Sequence, residues 1–493
     1  MTDRKNIFAA LAGSKLVKSS FWGIAANGLQ SILLSLFFVI LARKYSKPEF
    51  ADFLIANTIY QLLAAFSTLG LGQWFTREVV KTEDSSQLVN KFLKMQLYSG
   101  FLFYLVNILL AWMLYNDEVI IRISLVLGIN IIFDNVIYAI RSLNVAEFRQ
   151  EKTFVILLVD SVLKFLASCI LFVYPINTVL LSVVLIAMRF LTLNVFLVFG
   201  SSNSINVKKL LSYKISFSEV KNIVGPNWAF IIIGSVSMVF WRIGNIIISK
   251  MLEAEDVANY EVSYRVFSLA LILPMIISTT VFPQLVSLHN EGDRQKLGSY
   301  FHKIFSVYLL YSLLCFTFFF SFSQYIIPLV FGKGYDNNVN YTIQMFLAVL
   351  VFPTSLLQAN LLVALHKEKA DMWLNIVALI LNVAFSFAGI ALFNSLIGVN
   401  LSIFVSFLVF HMLQDYLLVK MKVTSLNKVL RFYVITGTVI GGYVFFAEYV
   451  HPVWLYIAFW GIILLLVIRF TVGFTGLKEL IKNPRGNLRP PQG

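Results

Sequence analysis

Fourteen apolar stretches alternate with short polar segments along the 493-residue chain: 21–42, 50–71, 93–115, 119–140, 153–174, 178–199, 226–249, 257–283, 300–321, 339–364, 372–392, 396–419, 430–447 and 453–470. A helix rises 1.5 Å per residue, so about 20 apolar residues cross a hydrocarbon layer ~30 Å thick. Apolar residues lie on every side of each stretch, the pattern of a helix surrounded by lipid or by other apolar helices. The shortest separation is Tyr174–Asn177, where Pro175 and Asn177 are turn residues, so the fifth and sixth stretches count as two crossings. The pattern predicts an all-α polytopic membrane protein of about 14 transmembrane helices.

Composition agrees. The chain is 59% hydrophobic and 13% charged, with a mean hydropathy of +0.81, whereas a soluble domain carries roughly 25% charged residues. Cys169 and Cys315 both fall within predicted crossings, and no disulfide is expected between them. The basic N-terminus (Arg4, Lys5, Lys15, Lys18) is followed by an apolar run, Ile7–Ala12, too short for a signal-peptide core, so the first crossing is expected to be retained.

The net charge of +14 is distributed by side. With the N-terminus in the cytoplasm, the cytoplasmic segments hold 29 Lys and Arg and the outer segments 6, namely Arg43, Lys44, Lys47, Arg122, Lys250 and Lys333. This asymmetry places both termini in the cytoplasm. A positive charge spread loop by loop over one face argues against a nucleic-acid partner. The tail Lys478–Gly493 is expected to be a disordered cytoplasmic end near anionic lipid.

An internal repeat is visible. ILARKYSKPEFADF (Ile40–Phe53) and IIISKMLEAEDVANY (Ile246–Tyr260) share an aliphatic helix end, a basic residue, acidic residues and a small residue before an aromatic. The spacing equals six crossings, which preserves orientation and makes the repeat parallel, about an axis along the membrane normal. It predicts two six-helix lobes in pseudo-twofold arrangement about a central cleft, plus two extra C-terminal helices: residues 1–222, 223–423 and 424–475, with a tail at 476–493. No outer segment is large enough for the carboxylate-bearing loop of a membrane glycosyltransferase or polymerase. The sequence holds no P-loop, Gly-rich nucleotide motif or metal-spaced His/Cys cluster, so an enzyme, a cofactor, a metal site and ATP drive are not expected.

Phe21–Leu71 has a small-Arg end to its first crossing, a Pro-Glu-Phe joint and a Leu-Gly-Leu end to its second. Leu329–Ile390 has Phe-Gly-x-x-Tyr before the tenth crossing, a small loop after Leu-x-Ala, and Asn375 and Asn382 in the eleventh. In these features the chain resembles the polysaccharide transporter branch of the MOP exporter superfamily, most closely the O-antigen (Wzx-type) flippases. It departs from the pattern at the joint, which reads Lys44-Tyr45-Ser46-Lys47-Pro48-Glu49, and at His366, where the family has glycine. The resemblance covers nearly the whole chain through motifs shared by the superfamily. It implies a carrier of the bacterial cytoplasmic (inner) membrane. Such a carrier moves undecaprenyl-diphosphate-linked oligosaccharide between leaflets by alternating access, with a polysaccharide polymerase and a chain-length regulator as partners. The rival readings are a multidrug or organic-cation antiporter of the related branch and, less well supported, a membrane glycosyltransferase or polymerase.

Charges inside crossings mark candidate sites, because an ionised group in hydrocarbon costs several kcal/mol. They are Asp134, Asp160, Lys164, Arg189, Arg242, Glu261 and Arg265. Asp160–Lys164 and Glu261–Arg265 each have i,i+4 spacing, which fits either mutual neutralisation or a pair lining the cleft. Arg189, Arg242 and Asp134 have no such neighbour on their own helix. Arg242 lies roughly 10 Å below the outer end of its crossing, and Arg265 lies at similar depth, so one anion can touch both. The candidate cations for a phosphate are Arg242, Arg189, Arg265 and Lys164. Asp134, Asp160 and Glu261 are candidate counter-ions or coupling groups. Asn27, Gln30, Asn57 and Gln61 fit either sugar contacts or helix–helix hydrogen bonds. His411 and Asp415, four apart, fit a helix-end hydrogen bond or a proton relay, and Pro274 and Pro353 are expected to kink their crossings.

Overall fold

The computed structural model describes residues 15–82, 84–200 and 215–471. In chain order the helices are α1 (Lys15–Lys44), α2 (Lys47–Ser67), α3 (Gly72–Lys81), α4 (Ser86–Leu114), α5 (Glu118–Ala146), α6 (Gln150–Ile170), α7 (Thr178–Val195), α8 (Phe217–Met251), α9 (Ala254–Asn290), α10 (Arg294–Phe331), α11 (Asn338–Phe346), α12 (Phe352–Ala364), α13 (Glu368–Phe393), α14 (Leu396–Lys420), α15 (Leu426–Phe446) and α16 (Pro452–Thr471). Among the described residues eleven helices are long and apolar enough to cross a bilayer. α1, α8 and α16 carry the remaining expected crossings. The protein is an all-α polytopic membrane protein of about 14 crossing helices. The expected C-terminal tail lies outside the described residues.

Local chemistry accounts for the helix ends. Ser46 and Glu49 form a reciprocal capping box with Pro48 in the first turn of α2, so the joint after α1 is a helix start written in sequence. Ser216 and Glu219 repeat the device at α8. The separation at 174–177 is real: Asn177 caps α7, its side chain accepting from Leu180 N at 2.8 Å. α3 is an amphipathic helix where the sequence suggested only a polar segment.

Pro274 and Pro353 act differently. α9 continues through Pro274, and Tyr311 Oη on α10 donates at 2.5 Å to the carbonyl of Ala270, the group that the proline leaves without its helical partner. Pro353 does not sit mid-helix. The tenth crossing breaks at Leu347–Val351, and Pro353 lies in the first turn of α12, where its missing N–H has no bond to lose.

Helix packing recurs with an offset of six crossings. α1 packs on α6 as α8 packs on α13. α2 packs on α5 as α9 packs on α11 and α12. α4 packs on α2 as α10 packs on α9, and α7 on α5 as α14 on α11 and α12. The seam between the halves is made by α2 against α8 and α9, and by α1 against α9. α15 and α16 lie outside this pattern, against α10. Side chains such as Trp112, Phe199 and Leu392 are exposed around the perimeter, where lipid rather than water is their solvent.

Candidate functional site: a cationic cavity at the seam

A cavity of about 410 Å³ lies where α1, α2 and α5–α9 converge. Five charged side chains reach its wall: Asp134, Lys164, Arg189, Arg242 and Arg265. Asn57, Tyr60, Gln61 and Asn130 add polar surface, and Phe37, Phe38 and Phe53 add aromatic surface.

On one side the charges form a chain. Arg189 on α7 pairs with Asp134 on α5, its Nε donating to Oδ1 at 2.6 Å. Its Nη1 donates to Asp160 on α6 at 3.3 Å. Asp160 also takes Lys164 Nζ at 2.8 Å and Thr192 Oγ1 at 2.7 Å, while Tyr60 Oη donates to Asp134. Two carboxylates against two cations leave this side neutral.

On the other side Glu261, fully buried on α9, is shared. Arg265, one turn along the same helix, approaches it at 2.5 Å. Arg242 on α8 reaches both carboxylate oxygens at 3.2 Å. Asn245 Nδ2 donates to it at 3.3 Å and to Thr58 Oγ1 across the seam at 3.0 Å. Arg242 lies over the Tyr264 ring, and Arg265 lies over the Phe38 ring with its guanidinium carbon 3.5 Å from the centroid. Among the described residues Arg265 Nε has no hydrogen-bond partner. This side carries one cation in excess.

The structure thus brings the seven charges singled out in the sequence into two clusters around one cavity. Arg242, which has no neighbour on its own helix, is partnered by Glu261 on the next one, so the reading of Glu261–Arg265 as a self-contained pair is corrected to a three-membered group. Asp134, read as a counter-ion to Arg189 or a coupling group, forms the salt bridge to Arg189. Asn57 and Gln61 line the cavity. Gln30 is half-buried and away from the wall, and the side chain of Asn27 lies outside the described residues. Tyr60 and Thr192 escaped sequence reasoning, although Thr192 follows Arg189 by three on one helical face.

The two ends of the seam differ. At the α1–α2 joint, contacts bridge the halves: Arg43 Nε donates to Val330 O at 2.6 Å, Lys250 Nζ donates to Leu114 O, Tyr115 and Ser249 hydroxyls meet at 2.6 Å, and Lys47 lies 3.9 Å from Glu255. At the opposite end a cavity of about 790 Å³ is lined by Gln73, Arg77, Arg141, Gln150 and Thr153 of the first half and Glu368 of the second.

Residues 40–340 match a family described as polysaccharide biosynthesis protein. No curated protein matches the chain in sequence. Among solved structures, the lipid II flippase MurJ in an inward closed conformation is similar at 14% identity and a TM-score of 0.68, covering 91% of this chain and all of that one. An inward-facing multidrug resistance MATE family transporter of the MOP superfamily is similar at 14% identity and a TM-score of 0.65, covering 81% of this chain and 96% of its own. A MOP superfamily transporter from Pyrococcus furiosus, described by the reverse polarity of its binding pocket, matches at 13% identity and a TM-score of 0.59, over 83% and 95%. These likenesses establish the fold and the sequence match the family: the chain belongs to the polysaccharide biosynthesis protein family.

Proposed function

We propose that this membrane flippase-type carrier moves an undecaprenyl-diphosphate-linked oligosaccharide, an O-antigen or similar surface-polysaccharide unit, from the cytoplasmic to the outer leaflet of the bacterial inner membrane. The observation that carries the reading is the convergence of Lys164, Arg189, Arg242 and Arg265 from both halves on one cavity. Arginine forks match phosphate oxygens, and a desolvated wall strengthens the attraction. The diphosphate docks on Arg242 and Arg265, whose shared Glu261 leaves donors unused, while Asn57, Gln61 and Asn130 face the sugar. Positive charge at the Arg77–Arg141 end fits the cytoplasmic side, and the bridged joint end fits a carrier closed outward. Alternating access then opens the seam at the joint. Multidrug transport, the role named for the similar MATE transporter, fits less well, because a lipophilic cation meets a wall with one positive charge in excess.

The test is complementation of a strain whose surface polysaccharide depends on this protein. Arg242→Gln leaves Glu261 paired with Arg265, so the protein is expected to accumulate normally while surface polymer is lost. Normal polymer with this variant removes Arg242 from the site, and normal polymer with the Arg242→Gln, Arg265→Gln double variant defeats the phosphate reading.

A further inference from the structure

Arg43, Lys44 and Lys47 are three of the six Lys and Arg between crossings on the joint side, against 29 on the opposite side. All three meet at one cavity of about 500 Å³. Its wall is built by the α1–α2 joint and Phe172 of the first half and by the turn that ends α10 in the second half. Among the described residues no carboxylate lines it. Glu49 is held by Ser46 in the capping box. Glu255 stands 3.9 Å from Lys47 with its side chain exposed, too loose a pair to neutralise the lysine. Aromatic rings hold the ammonium groups instead: Lys44 Nζ lies 4.1 Å from the Phe172 centroid and Lys47 Nζ lies 5.2 Å from that of Tyr335. A ring face steadies a cation and leaves its charge unbalanced. Tyr335 is itself buried, with its Oη unpartnered among the described residues. Arg43 has its Nε and Nη2 on the Val330 and Leu329 carbonyls, so Lys44 and Lys47 are the donors open to a ligand. Phe172 and Leu329 are exposed, which puts the cavity beside the apolar perimeter.

We propose that this cavity binds the phosphate oxygens of a lipid headgroup at the membrane surface on the joint side, a site separate from the cargo cavity. Phosphate supplies the anion that the two ammonium groups lack, and a membrane surface is where basic residues collect anionic headgroups. The exposed rings leave the lipid tail in the bilayer alongside. Both halves build the wall, so a bound phosphate favours the seam in its bridged state. Under the carrier reading, the headgroup is the diphosphate of the flipped lipid, and its binding shuts the seam behind it. That service rests on the carrier reading, whereas the phosphate site does not.

The test uses the full chain in phosphatidylcholine nanodiscs, with an environment-sensitive fluorophore at position 174, where Tyr174 is exposed, in a background without Cys169 and Cys315. Three probes are compared: undecaprenyl diphosphate and phosphatidylglycerol, each at increasing mole fraction in the disc, and inorganic pyrophosphate added to discs of phosphatidylcholine alone. A saturable response is expected at lower mole fraction for undecaprenyl diphosphate than for phosphatidylglycerol. Lys44→Gln or Lys47→Gln is expected to weaken it about fivefold, and both together about 25-fold. The Lys44→Arg, Lys47→Arg variant is expected to keep it. Absence of a response to either lipid, with or without one to pyrophosphate, overturns the lipid site, and so does a response unmoved in the double Gln variant. Equal responses to the two lipids support the phosphate site and overturn its service to the cargo. A longer distance across the joint between spin labels at positions 116 and 337 on adding the diphosphate lipid overturns the closure. The fluorescence response is expected to persist in the Arg242→Gln, Arg265→Gln variant, and its loss there overturns a site separate from the cargo cavity. A response that persists there beside normal surface polymer defeats the phosphate reading of the cargo cavity and leaves this site intact.

Discussion

Arg43 and Lys250, equivalent residues of the sequence repeat, reach across the seam in opposite directions to do the same thing. Arg43 ends α1 and hydrogen-bonds Val330 and Leu329 carbonyls in the last turn of α10. Lys250, near the end of α8, hydrogen-bonds the carbonyl of Leu114, the last residue of α4. Those carbonyls have no partner within their own helices, and the negative end of a helix dipole attracts a cation. Each half thus caps the third crossing of the other.

These two caps are expected to hold the joint end shut. Each contributes roughly 0.3–1 kcal/mol, so Arg43→Gln with Lys250→Gln shifts an open–closed balance several-fold. Spin labels at positions 116 and 337, in a background without Cys169 and Cys315, check this by pulsed distance measurement. A longer component is expected in the double variant and a smaller one in each single variant. An unchanged distance distribution means that the caps do not restrain the seam.

Glu261 is expected to be the most costly of the central charges to remove. Glu261→Gln leaves Arg242 and Arg265 buried without a counter-ion, a loss of about 3–5 kcal/mol. The Glu261→Gln, Arg265→Gln double variant leaves one guanidinium over the Tyr264 ring and recovers much of it. Thermal unfolding in detergent measures both, and a double variant no more stable than Glu261→Gln contradicts the shared-carboxylate arrangement.

Arg189 touches two carboxylates on two helices, which a planar fork does and an ammonium does not. Arg189→Lys is expected to retain the charge yet lower the melting temperature, with a further loss on adding Tyr60→Phe. The drop should be smaller in an Asp134→Asn background, where one of the two bonds is already weakened. Equal drops in the two backgrounds show that Arg189 does not bridge α5 and α6.

The α13–α14 hairpin depends on two glycines. A Cβ on Gly389 would stand 2.8 Å from Gly398 Cα, so Gly389→Ala is expected to force the helices apart and destabilise by about 1–3 kcal/mol. Gly441→Ala, with nothing near its Cβ, is expected to be neutral or to stabilise by up to about 1 kcal/mol, since alanine favours the helix. Thermal unfolding of the two variants side by side distinguishes the cases.

The crossings were legible in sequence because lipid offers the backbone no hydrogen bonds, so each apolar run must satisfy its own as a helix. Asn177 was legible as a turn residue, and its cap, like that at Ser46, is set locally, over three residues. The break in the tenth crossing was not, because Pro353 is equally compatible with a kink and with a helix start. The i,i+4 partners Asp160–Lys164 and Glu261–Arg265 follow from helical geometry alone. Arg189 and Asp134, 55 residues apart, and Arg242 and Glu261, 19 apart, meet only because α7 lies on α5 and α8 on α9.

The chain alone therefore determined its class, its helices and which residues carry charge into the membrane, all of which depend on local composition and spacing. Only the tertiary structure decided which cation meets which carboxylate, and that Arg43 and Lys250 exchange caps. It also separated Asp415, which accepts from Tyr433 and Gln358, from buried carboxylates held by arginine and lysine. Electrostatic partners are chosen by distances between helices, and no local pattern encodes them.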